Sequence, residues 1–196
     1  MIKLGILGDI GSGKSFVAKL FGYPVFSADK EVSEIYKKDR DCYKKLKKKL
    51  PKYVNSFPIK KKQLSEAYLD KKSNLKIIEK IVHPKIQKIK KRFIIKNKKY
   101  KILVFDIPLI LETKNYTNEY VFIFVKANKK DIHKYLKRRK NLNIKIINNL
   151  RKSQLSLEFK KKKSNYIIKN DFKILPLKKR VKILKNKILK NERIST

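Results

Sequence analysis

The sequence predicts an α/β fold, a parallel sheet covered by helices on both faces. Short apolar runs of strand length at 2–7, 101–106 and 120–125 alternate with longer segments whose apolar residues keep helical spacing. The first run ends in a glycine-rich turn that leads directly into a helix. At 196 residues, 41% of them hydrophobic, the chain is long enough to bury one core as a single domain.

The elements follow in order. Ile2-Lys-Leu-Gly-Ile-Leu7 reads as a buried strand, and Lys14–Phe21 as a helix stopped by Gly22. Pro24-Val25-Phe26 is a second short strand. From Ala28 to Leu50, Val32, Tyr36, Tyr43, Leu46 and Leu50 lie on one helical face. Pro51 and Pro58 bracket a loop. Leu75, Ile78, Val82, Ile86, Ile89 and Phe93 continue a helical stripe through 73–96. Pro84 removes a backbone donor inside it, so two helices or one kinked helix are expected. Strands are expected at 101–106, 120–125 and 166–168. Helices are expected at 131–139, 144–151 and 153–163, with a tail helix carrying Leu177, Val181, Leu184 and Ile188.

Lysine and arginine total 55 against 16 acids, a formal charge of +39. Only seven are arginine, the residue whose planar fork reads phosphate and guanine. The lysines are spread along the chain, and lysine, isoleucine and asparagine share A/T-rich codons. Compositional bias that places lysine at tolerant surface positions therefore explains the charge better than selected polynucleotide binding. A single cysteine, Cys42, excludes an internal disulfide framework. No run approaches membrane-spanning length, and the opening residues run straight into a strand, so a cytoplasmic protein without membrane attachment is expected.

Gly8-Asp9-Ile10-Gly11-Ser12-Gly13-Lys14-Ser15 fits G-x-x-x-x-G-K-[ST] at every position. This pattern is a phosphate loop between a strand and a helix, in which backbone N–H groups turn inward onto phosphate oxygens. Lys14 would reach the β- and γ-phosphates of ATP or GTP, and the Ser15 hydroxyl would ligate Mg²⁺. Gly8 to Phe16 are thus the candidate nucleotide-binding residues. The motif does not name the acceptor.

Among the few acids, Asp29 follows the second strand. At that edge of an open sheet it would either accept the proton of an attacking hydroxyl or simply complement a helix N-terminus. Asp106 ends a hydrophobic strand, where a carboxylate holds Mg²⁺ or merely closes a turn. Glu112 is a weaker candidate. His83 precedes Pro84 and is either catalytic or structural, and His133 has no partner motif.

Together these residues resemble the dephospho-CoA kinase family. The phosphate loop opens the chain as in that family. Ser27-Ala28-Asp29 stands where the family has Asp-Ala-Asp, and His83-Pro84 is similar to the His-Pro of its substrate-binding helices. Asp106-Ile-Pro-Leu-Ile-Leu-Glu112 is similar to its Pro-Leu-Leu-Phe-Glu segment. Arg138-Arg139 and Gln154-Leu-Ser-Leu-Glu158 resemble its lid, and Tyr166-Ile-Ile-Lys-Asn170 its Tyr-Val-Ile-Asp-Asn. Ser27, Tyr135 and Lys169 depart from the family pattern.

The resemblance spans about residues 3–170 and implies a P-loop kinase fold in one domain. Its core would be about 1–55, 98–137 and 164–196, with substrate-binding helices at 60–97 and a helical lid at 138–163. It implies ATP and Mg²⁺ as cofactors and dephospho-CoA as the small-molecule substrate, in a monomer with no specific nucleic-acid partner. Asp29 would be the catalytic acid, with Lys14 and Arg139 assisting the transferred phosphoryl group. His83 and Pro108 would lie at the acceptor, and Asn170 near the adenine. Two alternatives are a P-loop kinase for a nucleoside or nucleoside monophosphate, and a nucleic-acid-binding ATPase that exploits the charge.

Overall fold

The computed structural model describes residues 1–71, 73–108, 110–111, 119–138, 147, 151 and 154–194. In order these form β1 (Ile2–Gly8), α1 (Lys14–Leu20), β2 (Val25–Ser27), α2 (Ala28–Lys38), α3 (Arg40–Lys49), α4 (Lys61–Asp70) and α5 (Ser73–Lys96). They continue with β3 (Ile102–Asp106), β4 (Tyr120–Ala127), α6 (Lys129–Lys137), α7 (Leu157–Lys162), β5 (Tyr166–Asn170) and α8 (Ile174–Ile194). The helix expected at 144–151 falls mostly outside the described residues. The chain divides into two compact units, one of residues 1–26 with 98–196 and one of 27–97.

The first unit holds the expected parallel sheet, five strands in the order β2-β3-β1-β4-β5. β1 is central and pairs in parallel with β3 (Ile2 opposite Ile102) and with β4 (Gly8 opposite Val125). The chain leaves β1 toward β2 on one side, then crosses from β3 to β4 on the other. Ligands of open α/β sheets bind outside the strand carboxyl ends where the direction of travel reverses, and here that place is the end of β1.

The period-two pattern of the strands explains the two covered faces. On one face Leu4, Ile6, Val104, Ile123 and Val125 pack with Val17, Ala18 and Phe21 from α1 and with Leu177, Val181 and Ile188 from α8. On the other, Leu7, Phe122 and Phe124 pack with Ile110 and Leu111. Each buried Val, Leu, Ile or Phe among them contributes about 1.5–3 kcal/mol on burial. Pro176 stands in the first turn of α8, where a missing N–H costs nothing.

The second unit is helical, and two expectations change in it. The single face expected from Ala28 to Leu50 is divided between α2 and α3 at Asp39, whose backbone is extended (φ −90°, ψ 97°). The break is stabilised locally: Cys42 N–H donates to Asp39 Oδ1 at 2.8 Å, an N-cap for α3. Lys85 of α5 donates to Asp39 at 2.7 Å and to Asp41 at 2.9 Å, tying α5 to the start of α3. Of the alternatives for 73–96, the chain forms one helix, with Pro84 inside it. Cys42 and Leu46 are fully buried, with Val82 and Ile86 of α5 nearly so. Burial pushes the Cys42 thiol up to about 11, which disfavours its thiolate at neutral pH.

One composition-based expectation needs correcting. Lysine is not confined to the surface, because Lys160 of the run 160–163 is only 1% exposed. Its ammonium donates to Gln154 Oε1 at 2.9 Å, which repays part of its lost hydration.

Candidate active site

The phosphate loop connects the carboxyl end of β1 to α1. Gly13, the N-cap of α1, sits in the left-handed region at φ 87°, ψ 21°. A Cβ there would stand 2.3 Å from Asn170 Nδ2, so both torsion and space demand glycine. At Gly11 (φ 85°), a Cβ would meet Leu136 of α6 at 2.9 Å. The loop is therefore wedged between α6 and the end of β5.

Lys14 opens α1, and its Nζ donates to the carbonyls of Gly8 (3.2 Å) and Asp9 (2.8 Å). These bonds hold the ammonium over the mouth of the loop. Ser12 is fully buried, and its Oγ has no hydrogen-bond partner among the described residues. An orphaned buried hydroxyl inside such a loop suits a ligand rich in oxygens. Ser15 and Phe16 follow in the exposed first turn of α1, which lies open to an anion drawn by the helix dipole. Ile10 lies in the loop beside Ile132 and Leu136.

Asn170 is the other side chain brought to the loop. It is 2% exposed and donates from Nδ2 to Ser12 O at 2.8 Å, while its Oδ1 accepts the Phe172 N–H at 2.9 Å. Phe172 has a positive φ (60°), and its ring stacks on Tyr135 with centroids 5.1 Å apart. The end of β5 is thereby anchored to the phosphate loop. Asp106 is buried at the end of β3, one residue beyond the Gly5–Phe105 pair with β1. Pro108 follows in a turn spanned by the Ile110 N–H to Ile107 carbonyl bond.

Asp106 and Ser15 are oxygen donors of the kind that suit Mg²⁺, a hard cation that takes most of its remaining ligands from phosphates and water. Among the described residues no group of three or more His, Cys, Asp and Glu could hold a metal by itself.

Asp29 and His83 belong to the helical unit, where α2 packs against α5. Asp29 is exposed in the first turn of α2, and its carbonyl accepts the Ser33 hydroxyl at 2.8 Å. His83 is exposed on α5. Arg139 and Glu112 lie outside the described residues, whereas Arg138 caps α6.

Two residues escaped the sequence reading, one at the loop and one behind it. Arg151 forms a forked ion pair with Asp9, Nε to Oδ1 at 3.2 Å and Nη2 to Oδ2 at 3.3 Å. Lys160 supports the neighbouring Gln154. Arg151 is 142 positions from Asp9 and sits in a basic stretch, so no local signal marks it.

The chain is similar to known proteins of one family. The sequence pattern of the dephospho-CoA kinase family matches residues 2–175. A dephospho-CoA kinase of Wolbachia pipientis is 36% identical over 170 residues, covering 84% of this chain and 87% of that protein. One from Bartonella henselae is 30% identical over 193 residues, 96% and 98% of the two chains. The solved dephospho-CoA kinase of Campylobacter jejuni superposes with a TM-score of 0.68 at 27% identity, covering 97% and 98%. No helix among the described residues is long and apolar enough to cross a membrane. With the family pattern matched over residues 2–175 and relatives matched over most of their length, the chain belongs to the dephospho-CoA kinase family.

Proposed function

We propose that this protein transfers the γ-phosphoryl group of ATP to the ribose 3′-hydroxyl of dephospho-CoA, giving CoA and ADP. The observation that carries the reading is the family match across residues 2–175, which includes the phosphate loop and the residues around Asp29, His83 and Asn170. The protein acts as a cytoplasmic monomer and needs no nucleic-acid partner. Residues 60–97 serve as the acceptor-binding helices, and 138–163 as the lid.

The inward amides of residues 8–15 grip the β- and γ-phosphates, with Lys14 neutralising their charge. Asn170, held against Ser12, and Phe16 flank the nucleoside side. His83 and Pro108 contact the acceptor. The acceptor's 3′-oxygen attacks the γ-phosphorus, the bond to the β,γ-bridging oxygen breaks, and the hydroxyl proton passes to the Asp29 carboxylate. Arg139 offsets the charge that spreads over the equatorial oxygens. Mg²⁺, when bound with ATP at Ser15 and Asp106, supplies further neutralisation of the phosphate oxygens.

The test is an ADP-release assay with purified protein across dephospho-CoA, nucleosides and nucleoside monophosphates. Turnover with dephospho-CoA at least about a hundredfold above the others is expected, about 2.7 kcal/mol of discrimination. Faster turnover with a nucleoside or a monophosphate overturns the assignment.

A further inference from the structure

The phosphate loop of residues 8–15 contains one carboxylate, Asp9. A fixed negative charge there opposes the anion that the loop exists to hold. The Asp9 side chain is 16% exposed and that of Arg151 39%, so water and salt screen this charge in part. Its Oδ1 also accepts the N–H of Ile10 at 2.6 Å, which keeps the carboxylate turned onto the loop.

Arg151 answers this charge with both arms of its guanidinium, one to each carboxylate oxygen, at 3.2 and 3.3 Å. Bidentate pairing of this kind fixes direction as well as charge. The arginine is itself supported. Its carbonyl accepts the Gln154 N–H at 3.2 Å, and the Gln154 side chain accepts from the buried Lys160 ammonium at 2.9 Å. A line of contacts thus runs from a buried amine, through Gln154 and Arg151, to the carboxylate in the loop. Asp9, Arg151 and Gln154 line one cavity of about 750 Å³ with His133.

We propose that Arg151 is a positioning residue for the nucleotide: by forking the Asp9 carboxylate it cancels the negative charge within the phosphate loop, and the loop's affinity for a triphosphate depends on that pair. It acts through Asp9 and does not touch the nucleotide. The proposal rests on the reading of the loop as an ATP site.

A double-mutant cycle tests it, with Arg151→Ala, Asp9→Asn and the two combined, titrated calorimetrically with magnesium-ATP and with inorganic tripolyphosphate. Arg151→Ala is expected to raise the ATP Kd and KM about tenfold with kcat within about twofold, and the loss should shrink in about 0.5 M salt. Asp9→Asn should bind at least as tightly as the wild type, and adding Arg151→Ala to it should cost nothing further. Arg151→Lys, which keeps the charge and loses the fork, should fall between. The same pattern is expected with tripolyphosphate, since the effect is one of charge. If Arg151→Ala weakens binding equally with and without Asp9→Asn, the arginine touches the ligand itself and the proposal is overturned. It is also overturned, alone, if Arg151→Ala leaves both titrations unchanged. Pair-dependent binding of tripolyphosphate without any binding of ATP upholds the pair and overturns the nucleotide reading instead. A wild-type protein that takes neither anion overturns both.

Discussion

The two units of the molecule solve different problems by different means. In residues 1–26 with 98–196, position is set by backbone: parallel strands in fixed register, a loop forced by left-handed glycines, and Asn170 locking β5 to Ser12. In residues 27–97, position is set by side chains between helices, as where Lys85 bridges Asp39 and Asp41 over a buried Cys42. Gripping a phosphate chain needs many amides at fixed spacing, which only a particular backbone path supplies. Recognising an acceptor, the role proposed for the helices, needs a few side chains on a surface that otherwise tolerates change. The first requirement leaves a strict motif in the sequence; the second leaves scattered residues.

The contrast can be broken or sharpened by substitution. The largest effect is expected from Lys14→Ala, which should lower kcat/KM for CoA formation by about 10³-fold or more, measured at steady state. Retention of a tenth of the activity would remove Lys14 from the chemistry. Asp29→Asn comes next: kcat should fall about a hundredfold while ATP affinity by calorimetry stays within about threefold, because its proposed role is to take a proton rather than to hold the phosphates. Loss of ATP binding in that variant would assign Asp29 to the nucleotide instead.

Gly13→Ala probes the backbone strategy directly. The added methyl group meets Asn170 at 2.3 Å with φ at 87°, and a loss of about 2–4 kcal/mol in denaturant stability is expected, along with weakened ATP binding. An unperturbed denaturation midpoint would mean that the loop is more yielding than its geometry implies.

The smallest effect belongs to the side-chain strategy. Asp39→Ala removes the α3 cap and should cost about 1 kcal/mol of stability. The acid dependence of the wild type follows the same group. Partial burial works against its charge, but the Lys85 ammonium and the Cys42 N–H hold the Asp39 carboxyl below its ordinary value. Its folded value is depressed, so its contribution is present in full above the unfolded pKa of about 3.9 and is lost as pH falls through the lower folded value. Asp39→Asn should flatten that acid limb in urea titrations between about pH 5 and pH 2. An unchanged limb would assign the acid sensitivity to other carboxylates.

Much of this was legible in the chain. The apolar runs declared the sheet, and the phosphate loop declared its own geometry, because glycine and lysine at that spacing serve few other ends. The break at Asp39 was missed because helical spacing continues across it: Tyr36 and Tyr43 stand seven apart on either side. An aspartate three residues before the buried Cys42 was the available cap signal. Pro84 was legible as a disturbance but not in its outcome: the helix continues through it, with Val82 and Ile86 on either side buried. The Asp9–Arg151 pair and the burial of Lys160 were out of reach, since long-range contacts leave no local pattern and one lysine among 48 looks like any other.

That hidden lysine has a practical consequence. Acylating reagents that footprint surface amines should label the flexible, water-facing ammonium groups within minutes and reach position 160 only slowly. The time course at that single peptide, followed by mass spectrometry, would then serve as a built-in gauge of how often the packing around Gln154 opens.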